Sequence, residues 1–199
     1  MSTMTYPLAR DCVNSLGIPV DNLSLQQAID RIVDMAHNRE GKTHLVSTLN
    51  VDFLVNSLGY GFTRPRHPEL LNVLRSSDMV TADGFPIIWL SKIMGKPLKQ
   101  RVTGSDLTPA LASRAASEGL SLFLLGGGEG VAAAAAKALQ KANPELKIAG
   151  TSAPFIHTQG PALADFAADD EIVLHHINTS GADILLVGLG NPKQELWFN

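Results

Sequence analysis

The stretch Ala182-Asp-Ile-Leu-Leu-Val-Gly-Leu-Gly-Asn-Pro-Lys-Gln-Glu-Leu-Trp197 runs from an apolar core into two glycines and then into polar, helix-starting residues. Ile184 to Val187 have the length and branched apolar content of a strand covered on both faces. Pro192 suits the first turn of a helix, with Asn191 as its N-cap. A helix start presents unpaired N–H groups, so an anion site is expected above residues 191 to 194, with Lys193 and Gln194 as side-chain donors. The chain stops two residues past Trp197, inside this expected helix and without a Gly or Pro stop signal, so the natural polypeptide is expected to continue.

Upstream, strand-like runs occur at Thr43–Thr48, Met79–Ala82, Leu120–Leu125 and Leu146–Ala149. Helical stretches lie between them. One has apolar residues at 25, 28, 29, 32, 33 and 36 behind Ser24 as N-cap. Others start near Asn50, run over Pro68–Arg75 and Pro86–Met94, extend from an Asp106 cap through Glu118, follow Gly130 as an alanine-rich segment, and lie within Pro161–Thr179. A loop over Gly59–Pro68 holds Arg64, Arg66 and His67. Alternation of this kind predicts the α/β class: a Rossmann-like, largely parallel sheet with helices on both faces, as a single domain over residues 1–199.

Composition narrows the function. A net charge of -3 and the lack of a dense Lys/Arg stripe argue against a nucleic-acid surface. Apolar runs are short and Met1–Arg10 lacks a signal-peptide core, so cytoplasmic residence is expected. The single Cys12 rules out an internal disulfide. No metal is expected: the six histidines show no ligand spacing, and no D-x-D pair occurs. A G-x-S-x-G elbow is missing as well.

In an open parallel sheet, ligands bind beyond the carboxyl ends of the strands. Thr48-Leu-Asn50, Asp83-Gly84, Gly126-Gly-Gly128 and the segment from Gly188 through Gly190, Asn191 and Lys193 to Gln194 are therefore expected to share one rim. Gly126, Gly127 and Gly128 can bring backbone amides to a diphosphate, or merely let a helix pack on a strand; both readings stand on sequence. Gly128-Glu-Gly130-Val-Ala-Ala133 fits a loose dinucleotide fingerprint, but the ribose-binding acid is missing from Ile148–Ala153, which counts against NAD. Asp83 is either a partly desolvated general base or one half of an ordinary Asp-Gly turn. Arg101 is either a phosphate ligand or a surface ion-pair partner.

With these segments assembled, the chain resembles the WecG/TagA/CpsF family of bacterial glycosyltransferases from about Gly17 to its last residue. The resemblance rests on Thr48-Leu-Asn50, Ala82-Asp-Gly-Phe-Pro86, Arg101-Val-Thr-Gly-Ser-Asp-Leu107, Leu124-Leu-Gly-Gly-Gly128 and Gly188-Leu-Gly-Asn-Pro-Lys-Gln-Glu-Leu-Trp197. It implies inverting, metal-independent transfer, without a cofactor, of N-acetylmannosamine, its uronic acid or a related hexose. The donor is a UDP-sugar and the acceptor a polyprenyl-diphosphate-linked N-acetylglucosamine, in the synthesis of cell-envelope polysaccharide or teichoic acid. By position Asp83 is similar to the family's catalytic base, and Thr48, Asn50, Arg101 and Gln194 to its pocket residues. Members can oligomerise, and they act at the inner face of the plasma membrane, which a basic, aromatic carboxyl-terminal segment contacts. No counterpart of that segment follows Trp197, so this chain is expected to bind UDP weakly, to transfer poorly and to lack strong membrane affinity.

Overall fold

A computed structural model describes residues 10–39, 41–59, 64, 67–154 and 167–198. The elements are β1 (Cys12–Ser15), β2 (Ile18–Asp21), α1 (Leu25–His37), β3 (Val46–Leu49), α2 (Val51–Leu58), α3 (Leu70–Ser76) and β4 (Met79–Ala82). They continue as α4 (Phe85–Ile93), α5 (Gly104–Glu118), β5 (Ser121–Gly126), α6 (Val131–Ala142), β6 (Lys147–Ser152), α7 (Ala167–Thr179), β7 (Ile184–Gly188) and α8 (Lys193–Phe198).

The α/β alternation is as expected, and β3 to β7 all pair in parallel. Their ladders fall into a two-stranded sheet, β3-β4, and a three-stranded sheet in the order β6-β5-β7. One apolar cluster spans both: Met79 of β4 and Val102 pack with Leu111 of α5 and with Leu122 and Leu124 of β5. Phe123 and Leu125, on the other face of β5, pack with Val173 of α7. Alternate residues of a strand point to opposite faces, so this central strand carries α5 and α6 on one side and α7 on the other.

Sequence reasoning missed the antiparallel β1-β2 hairpin. Its turn residues Leu16 and Gly17 have φ of 56° and 84°, the pair of positive values that matches a tight turn to the twist of its strands. The hairpin is fastened to β4 by Asp21, whose carboxylate accepts from Arg10 at 2.8 and 2.6 Å, from Arg31 at 2.9 Å and from the Val80 amide at 2.7 Å. Burial opposes the charge on Asp21, but these donors outweigh it and hold the carboxyl below its ordinary range.

Several expected boundaries move for local reasons. The Thr43–Thr48 run pairs only from Val46, because Asp78 occupies both backbone groups of Leu45: its carboxylate accepts from the Leu45 amide at 3.0 Å and its own amide donates to the Leu45 carbonyl at 2.9 Å. The strand expected over Leu146–Ala149 runs over Lys147–Ser152 instead, paired along β5. Asp106 does not cap α5; Thr103 does, its Oγ1 accepting from the Asp106 amide at 3.0 Å. Met1–Ala9, most of the Gly59–Pro68 loop including Arg66, and the start of the Pro161–Thr179 helix lie outside the described residues.

Candidate active site

All four residues of β4 are buried, and the chain leaves the sheet at Asp83. The Asp83 amide donates to the Leu49 carbonyl at 2.8 Å, extending the β3-β4 ladder and placing Asp83 beside the Thr48-Leu-Asn50 turn. Gly84, at φ 132°, redirects the chain into α4, a conformation that side-chain-bearing residues rarely adopt. The segment around Arg101 is held against the same strand end. Val102 donates its amide to the Ala82 carbonyl at 2.8 Å, and its own carbonyl accepts from Thr81 Oγ1 at 3.0 Å.

These bonds bring Asp83, Arg101, Asp106 and the first turn of α5 together. Burial pushes the Asp83 carboxyl above its ordinary value; the Gly104 amide and the Arg101 cation oppose that rise, while the Asp106 charge adds to it. The Arg101 guanidinium lies 5.2 Å from the centroid of the Phe85 ring, and its Nη2 is 3.1 Å from Asp106 Oδ2. Both partners of this ion pair are more than a third exposed, so it orients Arg101 without contributing much stability. Thr48 is half-buried near the end of β3. Asn50 is the N-cap of α2, with Oδ1 accepting from the Phe53 amide at 3.0 Å.

A second group forms after β5 and β7. Gly126 pairs with Gly188, and the Gly127 amide donates to the Gly188 carbonyl at 3.0 Å. A Cβ on Gly126 would lie 2.5 Å from the Gly188 oxygen, and one on Gly127 would lie 2.7 Å from a Val131 methyl. Close packing therefore explains Gly126 and Gly127 by itself. Gly128 and Gly190 differ: a Cβ on Gly128 would meet only Val131, at 4.0 Å, and one on Gly190 would meet nothing within 4 Å.

The turn beyond β7 corrects the expected helix cap. The helix α8 starts at Lys193, and the Gln194 amide donates to the Gly190 carbonyl at 3.1 Å. Asn191 instead turns its carboxamide sideways, accepting from Asn56 Nδ2 at 2.6 Å and donating to Glu195 Oε2 at 3.2 Å. Gln194 donates to the other oxygen of Glu195. Glu195, which sequence reasoning did not single out, is 5% exposed, and burial raises its carboxyl against the two amide donors. The four-residue spacing of Asn191 and Glu195 is the sequence signal for a contact between them, although Asn191 itself lies in the turn before α8. Lys193 lies exposed at the helix start.

The two groups are joined through α2: Asn50 caps it beside Asp83, and Asn56 on it reaches Asn191. A shallow depression lined by Ser113, Ser117, Asn143 and Glu145 lies elsewhere, at the helix ends that precede β5 and β6 and so away from the carboxyl ends of the strands. Among the described residues, no three His, Cys, Asp or Glu side chains converge as a metal site. No helix among them is long and apolar enough to cross a membrane.

Known proteins are similar to this chain in sequence. The chain is 30% identical over 186 residues to a Staphylococcus aureus protein named N-acetylglucosaminyldiphosphoundecaprenol N-acetyl-beta-D-mannosaminyltransferase, covering 94% of this chain and 66% of that one. A protein of the same name from Bacillus spizizenii is 28% identical over 166 residues, covering 79% of this chain and 60% of its own length. The chain thus matches somewhat under two thirds of the length of these curated relatives. The model of the Glycosyl transferase WecG/TagA/CpsF family matches residues 13–199, which takes in every segment of the site, and the chain belongs to that family.

Proposed function

We propose that this chain forms the sugar-transfer domain of an inverting, metal-independent glycosyltransferase. It moves N-acetylmannosamine, or a closely related hexose, from a UDP-sugar to a polyprenyl-diphosphate-linked N-acetylglucosamine. The relatives' printed names support the acceptor and the sugar. The observation that carries the reading is Asp83: a carboxyl at the end of a parallel strand, raised by burial and flanked by Arg101 and the first turn of α5.

In the proposed step an acceptor hydroxyl of N-acetylglucosamine attacks the anomeric carbon of the donor sugar. Asp83 takes the hydroxyl proton as the new C–O bond forms, and the bond to UDP breaks with its electron pair passing to the diphosphate. A raised carboxyl is a stronger base than an ordinary aspartate. Arg101, whose cation acts on Asp83, offsets the charge gathering on the leaving diphosphate in this reading. Thr48, Asn50 and Gln194 orient the sugars. Backbone amides at Gly128 and around Gly188, Gly190, Asn191 and Lys193 approach the diphosphate, with Gly126 and Gly127 fixing the turn that presents them. The sequence holds no D-x-D pair, which supports transfer without a metal. An adenine-dinucleotide reading is weaker, since β6 ends at Ser152 and no Asp or Glu follows it directly to hold a ribose hydroxyl.

Calorimetric titration with UDP, ADP and NAD in the presence of chelator tests this reading. Selective, chelator-insensitive binding of UDP is expected. Preference for an adenine nucleotide would overturn it.

A further inference from the structure

The helix that follows Asp83 buries only one side. Ile87, Ile88 and Ser91 of α4 face the core. Phe85, Trp89 and Ile93 are 60, 61 and 83% exposed, and Met94 is 45% exposed. Residues four apart lie on one helix face, so these side chains form a continuous apolar stripe rather than scattered single exposures.

The same segment carries one sign of charge. Residues 84–105 contain Lys92, Lys96, Lys99 and Arg101 and no Asp or Glu, in a chain whose net charge is -3. Lys99 and Arg101 reach acids elsewhere, at 4.0 Å from Asp11 and 3.1 Å from Asp106. Lys92 and Lys96 are exposed and have no ion-pair partner among the described residues. An aromatic and aliphatic face bordered by unpaired lysines is the composition of a helix that lies in a bilayer interface, with its apolar side among the acyl chains and its cations on anionic headgroups.

We propose that the exposed face of α4, formed by Phe85, Trp89, Ile93 and Met94 and flanked by Lys92 and Lys96, docks on an anionic lipid bilayer. A second copy of the chain fits this face less well, because a two-fold pairing of α4 on α4 would set lysines against lysines with no acid in the segment to meet them. The proposal rests on the glycosyltransferase reading for its purpose. Asp83 precedes Phe85 by two residues, so a docked α4 sets the base at the bilayer surface where a lipid-linked acceptor presents its sugar. It also gives this chain a membrane contact of its own, where sequence reasoning assigned that contact only to a further carboxyl-terminal segment.

Co-sedimentation of the chain with phosphatidylcholine vesicles, with and without phosphatidylglycerol, tests the surface. Binding to the anionic vesicles is expected, reduced about tenfold or more in a Trp89→Ser/Ile93→Ser variant and in a Lys92→Glu/Lys96→Glu variant. All four positions are exposed, so circular dichroism should confirm an unchanged fold. In a Trp197→Phe background, Trp89 emission should shift to the blue on vesicle addition. Failure of the parent to sediment, or equal sedimentation of parent and variants, would overturn the proposal. Self-association in lipid-free solution that Trp89→Ser/Ile93→Ser abolishes would overturn it too, by assigning the face to a second copy. UDP titration of the same samples separates the two readings: vesicle binding without UDP binding supports the surface and counts against the nucleotide site, whereas UDP binding without vesicle binding overturns only the surface.

Discussion

Asn56 donates a 2.6 Å hydrogen bond to the carboxamide oxygen of Asn191, joining the helix after β3 to the turn after β7. Asn191 passes the connection to Glu195, and Glu195 accepts from Gln194, so a polar chain runs from α2 to a proposed sugar-binding side chain. If that chain positions Gln194, Asn56→Ala and Asn191→Ala should each weaken UDP-sugar binding. Their effects should also fall short of additive, with a coupling of about 1 kcal/mol in a double-mutant cycle on unfolding. Full additivity would show that the contact does not couple the two segments.

Asp21 should be a principal stabiliser of the first half of the fold. Its carboxylate is buried between Arg10 and Arg31. Asp21→Asn leaves both cations short of their partner and should cost about 3 kcal/mol in urea unfolding. The sign with pH follows from the lowered carboxyl: its stabilisation is fully present above the ordinary value near 4 and is lost as pH falls through the folded value. The parent should therefore lose stability on acidification more steeply than the variant.

Glu195 should show the opposite slope. Its folded carboxyl is raised by burial, so its favourable contribution is greatest below the ordinary glutamate value and declines as pH rises towards the folded one. Glu195→Gln should flatten that decline. Parallel pH slopes in parent and variant would remove Glu195 from the acid-side stability of the protein.

The glycines after β5 should separate by role. Gly126→Ala places a methyl against the Gly188 carbonyl at φ 116° and should destabilise by about 2 kcal/mol or more, with any loss of UDP binding following from misfolding. Gly128→Ala has room in the fold, and thermal unfolding should change little. A fall in its UDP affinity would reveal close approach of the nucleotide; unchanged affinity would make the whole turn a packing device.

The parallel alternation and the strand ends were legible because apolar runs such as Ile184 to Val187 are short, branched and bounded by glycine. That run is half-buried at the edge of the β6-β5-β7 sheet rather than covered on both faces, since strand pairing order leaves no mark in a single run. Asp83 and Arg101 were readable as candidates from position. Their proximity was not, since it depends on Val102 bonding across to Ala82 and Thr81, a long-range backbone contact with no periodic signal. The β1-β2 hairpin escaped because its strands are four residues each and its turn uses Leu16, a residue seldom found at positive φ. Asn191 was read as a cap on local grounds, and a tertiary partner, Asn56, took its carboxamide instead. Glu195 was passed over because burial of a charged residue at a rim leaves no mark in composition.

The pH dependence of transfer should follow the electrostatics around Asp83. Because its carboxyl is raised, the acid limb of kcat/KM should lie above the ordinary aspartate value. Asp106→Asn removes a like charge and should move that limb to lower pH, whereas Arg101→Gln removes an opposing cation and should move it higher. Shifts in the reverse directions would exclude Asp83 as the titrating base.

Asp83→Asn is the most direct test. Transfer from UDP-N-acetylmannosamine to a short-chain prenyl-diphosphate N-acetylglucosamine should be followed under single-turnover conditions, with donor affinity measured calorimetrically on the same samples. Catalysis by Asp83 predicts a rate lower by roughly 10²-fold or more with donor affinity nearly unchanged. An undiminished rate at equal donor affinity would contradict it and leave Asp83 as the first residue of a structural turn.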